Sequence, residues 1–183
     1  VYRPFLIGFT IKGIDMQNGE PMTKIEYIKG DATKPQGEGK QLIIHCCNDI
    51  GGWGKGFVLA LTKRWSEPEK QYRIWYKSGK KFKLGNIQAI RVEKNIAVVN
   101  MIGQHDIRKL NGIPPVRYGA IEKCLVKVAD LAEKYKASVN APYLMCCDLA
   151  GGDWNTIENM LTELICARDI PVVVYDLFNK RKV

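Results

Sequence analysis

The chain of 183 residues has no long hydrophobic run. None approaches the roughly 20 apolar residues that a membrane-spanning helix needs, so no membrane partner is expected. Only two histidines are present, His45 and His105. With acids also sparse around the glycine-rich stretches, no clustered metal-ligand set is expected. The cysteines stand at 46, 47, 124, 146, 147 and 166, and the two adjacent pairs lack the C-x₂₋₄-C spacing of zinc knuckles. Four of the six fall inside apolar runs, which reads as reduced core thiols in a cytoplasmic protein. The N-terminal "VYRPFLIGFTIKG" lacks a small-residue cleavage site and does not read as a signal peptide. The formal charge is +9, yet no basic stripe is interleaved with aromatics. Lys77, Lys80, Lys81 and Lys83 form the densest group. The charge reads as a solvated surface that also favours anionic ligands.

The composition is that of an ordinary globular protein, 46% apolar and 26% charged. The length suits one domain. Residues 1–21 read as a separate segment, because "MTKIEYIKGDATKPQ" from Met22 resembles a natural start; residues 22–183 form the domain. Strands are expected over Lys24–Ile28, Gln41–Cys46, Ile87–Val92, Ile96–Ile102, Val139–Cys146 and Pro171–Tyr175. Helices are expected over Phe57–Trp65, Pro68–Gly79, Val116–Tyr135 and Trp154–Ala167. Phe57, Ala60, Leu61 and Arg64 are expected on one side of the first. Tyr135 closes the apolar face of the third. This alternation argues for an α/β sandwich with a sheet that is parallel in its middle. In such sheets ligands bind beyond the carboxyl ends of the strands.

Two glycine-bearing loops fall at such ends. "GGWGKG" follows Gln41–Cys46, and "AGGDW" follows Val139–Cys146. The first holds Gly51, Gly52, Gly54 and Gly56 in six residues. A tight turn needs one or two. Four point to a ligand lying against the backbone, and a helix N-terminus suits phosphate. It is not a P-loop, because Lys55 is followed by Gly56 where a hydroxyl is required. It is not a dinucleotide fingerprint either, since the spacing is G-x-G-x-G.

The ordered set "YIKGDATKP", "IIHCCNDIGGWGKGFVLAL", "VVNMIGQHDI", "LAGGDW" and "VVVYDL" resembles the macro domain family over roughly residues 23–177. The nearest branch is the stand-alone microbial one associated with ADP-ribose-1″-phosphate processing and ADP-ribose removal. The resemblance implies a three-layer α/β/α sandwich with a mixed, centrally parallel sheet. It implies a cleft for ADP-ribose, free or attached to a small molecule, protein or nucleic acid, with no cofactor and no metal.

Residue by residue, the resemblance gives Asp31, with Ala32 beside it, to the adenine amine. It gives Asn48 to the distal ribose, Gly51, Gly52, Gly54 and Gly56 to the pyrophosphate and ribose, and Ala150, Gly151 and Gly152 to the other side. Trp53 walls the ribose or covers the core. Tyr175 flanks the adenine or packs in the core. Asp31 and Asn48 are also ordinary turn and cap residues. The family's second loop usually carries more glycine, whereas Met145–Asp148 stand here, with Asp148 placing a carboxylate near the phosphates. A related branch uses a lysine and an aspartate for ADP-ribose removal. Those positions fall at Gln104 and near Ala150, so that mechanism is not expected. The catalytic candidates are Asn48, Asp49 and His105, with His105 as acid or base, or Asn48 and Asp49 positioning water. His45 reads as a buried core histidine. Three functions follow: hydrolysis of an ADP-ribose derivative, recognition of ADP-ribose without turnover, or nucleic-acid binding on charge alone.

Overall fold

The structure is a computed structural model that describes residues 23–181. The expected segment 1–21 therefore lies outside the described residues. Six strands form one sheet: β1 (Glu26–Ile28), β2 (Lys40–Asn48), β3 (Ile87–Arg91), β4 (Ile96–Gln104), β5 (Ala137–Pro142) and β6 (Val172–Tyr175). Their order is β1-β6-β5-β2-β4-β3. Every neighbouring pair is parallel except β3 with β4. Helices α1 (Phe57–Arg64) and α2 (Glu67–Ser78) cover one face, and α3 (Tyr118–Tyr135) and α4 (Trp154–Leu164) the other. The mixed, centrally parallel three-layer sandwich is the fold expected from the sequence.

Both faces of the central strands are buried, which explains the unbroken apolar run in β2. Leu42 and Ile44 pack with α3 and α4, around Ile121, Leu125, Val128, Ile157 and Leu161. Ile43 and Cys47 face the opposite way, toward Leu61 and Tyr72. Helix α2 starts with Pro68 in its first turn and stops at Gly79, which is left-handed at φ 64°.

Several boundaries differ from expectation. Val116 is not helical: it bridges Gln104, and α3 starts two residues later. Helix α4 stops at Leu164 and yields to a 3₁₀ turn, Cys166–Arg168. On α1 the buried residues are Val58 and Leu61, while Ala60 and Arg64 are exposed. Tyr135 is also exposed, under the ammonium groups of Lys40 and Lys134. The expected strand Val139–Cys146 ends at Pro142, because Leu144 turns to φ 62° and the chain leaves the sheet.

The chain order places the crevice. From β2 the chain runs to β3 and β4 on one side, then crosses to β5 on the other. The loop after β2 leads to α1 and the loop after β5 to α4, on opposite faces. Strands β2 and β5 pair only from Lys40–Ala137 to Ile43–Asn140. Beyond that register they separate, and the two loops diverge around the gap.

Candidate functional site

A cleft of about 750 Å³ fills that gap. Its floor is the end of β2 that pairs with β4 but no longer with β5, His45 to Asn48, with Pro142 of β5. One wall is Gly52–Val58. The other is Tyr143–Ala150, with Gln104 and Ile107 at one edge.

The first loop is pinned by its own asparagine. Asn48 Oδ1 accepts from the N–H groups of Gly52 (2.8 Å) and Ile50 (3.2 Å), and Nδ2 donates to Gly52 O (2.7 Å). Tyr72 Oη donates to Asn48 O at 2.6 Å. The carboxamide oxygen is thus committed to the turn. One Nδ2 hydrogen is left for a ligand, and Asn48 lines the cleft.

The four glycines of this loop separate by role. Gly51 sits at φ 74°, and a Cβ there would come within 2.6 Å of Tyr76 Cγ, so it serves the packing of α2. Gly56 begins α1 at φ 84°, with Leu149 Cδ1 3.2 Å from where a Cβ would stand. A Cβ on Gly52 would press on the Asn48 amide at 3.1 Å. Gly54 differs: its φ is not left-handed, and nothing lies within 4 Å of an added Cβ. Neither turn geometry nor packing requires glycine at this lining position. Trp53 is 6% exposed, stacked edge-on against His45 and bonded through Nε1 to Thr62 Oγ1 at 2.8 Å. It is core and cleft wall together.

On the second loop Ala150 lines the cleft, but Gly151 and Gly152 do not. Gly151 is at φ 71°, with Pro114 Cβ 2.9 Å from an added Cβ. Gly152 lets the Cys146 carbonyl approach to 2.5 Å of where a Cβ would stand. Both are accounted for by loop closure. Leu144 and Cys146 take φ of 62° and 67°, conformations that cost a non-glycine residue about 1–2 kcal/mol. Asp148 is part of the lining.

Asp31, Ala32 and Tyr175 lie apart from this cleft lining, at the β1–β6 side of the sheet. Asp31 Oδ1 accepts from Thr33 N–H and Oγ1–H, each at 2.9 Å, in an Asx-type turn; Oδ2 takes no part in it. Ala32 is 2% exposed. Tyr175 is buried, accepting from Gln36 N–H at 2.8 Å and donating to Asn140 Oδ1 at 3.2 Å.

Asp49 and His105 form a pair. Asp49 Oδ2 holds His105 Nδ1 at 2.7 Å, and Oδ1 accepts from Asp106 N–H at 2.9 Å. The pair stands beside the cleft and not among its lining residues. His45 lies on the floor and is buried. Asn100 gives its amide hydrogens to Pro68 O and Gln88 Oε1, so its Oδ1 must accept from His45 Nε2–H at 2.6 Å. Burial holds His45 down at about 4, so the ring is neutral at pH 7. Three of the cleft thiols are held toward the neutral form too. Burial pushes Cys47 well up and Cys147 to about 12, and contact with Cys46 together with burial raises Cys146. Thiolate nucleophiles at these three positions are not part of this site. Among the described residues no group of acids, histidines and cysteines is placed to hold a metal.

Two charged cleft residues do not stand out in the sequence as site residues, Lys55 and Arg73. Lys55 draws notice there only through the P-loop pattern that it fails to complete. Arg73 looks like one more charge on a helix surface.

Similar proteins agree with this architecture. A macrodomain protein from Streptomyces coelicolor is 46% identical, with a TM-score of 0.75, over 84% of this chain and 99% of that one. A Bacteroides thetaiotaomicron protein of unknown function is 52% identical, with a TM-score of 0.84, over 85% of this chain and 99% of that one. The chain belongs to the macrodomain family. Thermosipho africanus DarTG, solved in complex with ADP-ribose, shares the fold at 18% identity and a TM-score of 0.65, over 79% of this chain and 40% of that one. Chromodomain-helicase-DNA-binding protein 1-like of Mus musculus is 31% identical over 162 residues, 84% of this chain and 18% of that protein. The chain thus spans less than a fifth of the length of the first curated relatives it matches. An ADP-ribose 1″-phosphate phosphatase of Saccharomyces cerevisiae is 39% identical over 51 residues, 28% of each chain. No family model matches the chain.

Proposed function

We propose that the cleft binds ADP-ribose, with its pyrophosphate between the first loop and Tyr143–Ala150. The observation that carries this reading is Gly54. It lines the cleft, needs no left-handed φ, and faces open space where a side chain would stand. Phosphate oxygens approaching the backbone explain a residue that the fold does not. In this reading Asp31 Oδ2 receives the adenine amine beside Ala32 and Tyr175, and the remaining Nδ2 hydrogen of Asn48 meets the distal ribose. Gly52, Trp53, Gly56 and Ala150 shape the walls. The ADP-ribose bound to DarTG and the name of the yeast phosphatase support the ligand class. The reading extends to ADP-ribose attached to a small molecule, protein or nucleic acid. Six free thiols suit a reducing, cytoplasmic setting.

Hydrolysis of an ADP-ribose derivative is the second reading, favoured by the Asp49–His105 pair. Asp49 fixes Nδ1, which leaves Nε2 on a half-exposed ring to move a proton from a water at the cleft edge. Calorimetric titration with ADP-ribose, followed by phosphate release from ADP-ribose-1″-phosphate, tests both. Binding with release that is lost in His105→Gln is the result expected of the enzyme. Binding without release identifies a reader, and no binding to folded protein refutes the proposal.

A further inference from the structure

A second concavity lies at the start of α3, an open groove of about 570 Å³. Its apolar lining is Leu84, Ile113, Val116 and Tyr118. The segment from Gln104 to Val116 borders both sites: Gln104 and Ile107 line the cleft, Ile113 and Val116 the groove. Ile113 is 57% exposed. Reciprocal backbone hydrogen bonds with Leu110, at 3.1 and 2.9 Å, close a turn around Asn111 and Gly112, which take φ of 52° and 80°. An apolar residue presented on a closed turn loses little backbone freedom when a partner covers it.

The charges that line the groove have one sign. Arg117 and Lys123 are among the lining residues, and no acid is, among the described residues. Arg117 is anchored through Nη1, which donates to Pro114 O at 2.6 Å and Val116 O at 2.9 Å. Its Nε–Nη2 edge is outside those bonds, and such an edge matches the two oxygens of a carboxylate. The stem of Lys123 lies over Gly85, with Cβ and Cδ each 3.1 Å from where a Cβ would stand. No side chain caps α3 and its first turn holds no acid, so the positive end of the helix adds to the same field.

Gly119 points to a close approach. It lines the groove in the first turn of α3, its φ is not left-handed, and nothing lies within 4 Å of an added Cβ. Glycine weakens a helix relative to alanine, and nothing in the fold asks for it here. A partner lying against the helix backbone accounts for it. A nucleic acid fits this surface less well. Two bases on a largely aliphatic lining give neither the basic track nor the stacking platform that strands use.

We propose that this groove docks an acidic peptide segment. An apolar side chain of the segment seats among Leu84, Ile113 and Val116, and flanking Asp or Glu residues meet Arg117, Lys123 and the start of α3. The proposal does not depend on the ADP-ribose reading. The test is selection of random linear peptides, displayed on phage, against the wild-type protein, followed by titration of the recovered peptides. They should combine Asp or Glu with Leu, Ile or Phe, and their binding should weaken as salt rises. Affinity should fall about tenfold in Lys123→Glu and hold within about twofold in Lys134→Glu, the same charge change at the other end of α3. Gly119→Ala should also lose affinity while melting at or above wild type. Recovery of no peptides, of peptides without an acidic bias, or of peptides that bind both groove variants as they bind wild type would overturn the proposal. So would a DNA oligonucleotide that displaces the peptides and itself needs Lys123. Self-association of wild type that disappears in Ile113→Asp would give the groove to a second copy instead.

Discussion

His45 shows how a single buried side chain sets a dependence on pH. Burial lowers it from the ordinary 6.5 to about 4, and hydrogen bonding to Asn100 opposes that only in part. Between those values the unfolded chain binds a proton that the native state refuses. Its contribution to stability is therefore complete above about pH 6.5 and is lost as pH falls toward 4. At about 1.4 kcal/mol per pH unit, the loss approaches about 3 kcal/mol. Denaturant midpoints measured from pH 7 to pH 4 should fall accordingly, and His45→Gln should flatten the slope. An unchanged slope in the variant would mean that another group titrates. The apolar run around His45 already marks it as a core residue. The partnership of Asp49 with His105 is not legible in the sequence, because 56 positions separate them and only the fold joins them.

The loop from Tyr143 to Ala150 is the element where sequence and structure part. Its apolar residues read as a continuing strand, and nothing in the letters of Leu144 or Cys146 announces a left-handed turn. The strain is taken up by closure: Gly152 N–H donates to Cys146 O at 3.0 Å, and Gly151 N–H to Cys147 O at 2.9 Å. Elements with their own punctuation are legible, as with Pro68 and Gly79 on α2 and the three-four spacing of α3. The inward reach of Arg73 is not, since it depends on how α2 packs over Gly51. The loop yields a prediction that opposes usual helix and strand behaviour. At position 144, glycine should be more stable than alanine by about 1 kcal/mol, because only alanine keeps the left-handed penalty. Chemical denaturation of Leu144→Gly and Leu144→Ala gives the difference directly. Alanine equal to or above glycine would show that the loop does not hold φ 62° in solution.

At the scale of the whole molecule, one topological fact makes the site. The chain reverses direction across the sheet between β2 and β5, and the cleft is the gap that this leaves. Alternating strands and helices announce the class of fold. The strand order is hidden, because most pairings join residues far apart in sequence. Two loops on opposite faces then meet only through what lies between them, and Gly54 is where the proposed binding mode puts the ligand's phosphates. The decisive measurement is calorimetric titration of ADP-ribose into Gly54→Ala and wild type, with melting curves of both. Since Gly54 needs no left-handed φ and has open space around it, alanine should leave stability unchanged or raise it by about 0.4–1 kcal/mol. ADP-ribose affinity should nevertheless fall by about tenfold or more, as the added methyl meets the phosphates. Unchanged affinity in Gly54→Ala would contradict this binding mode, because the ligand would then not lie against this loop.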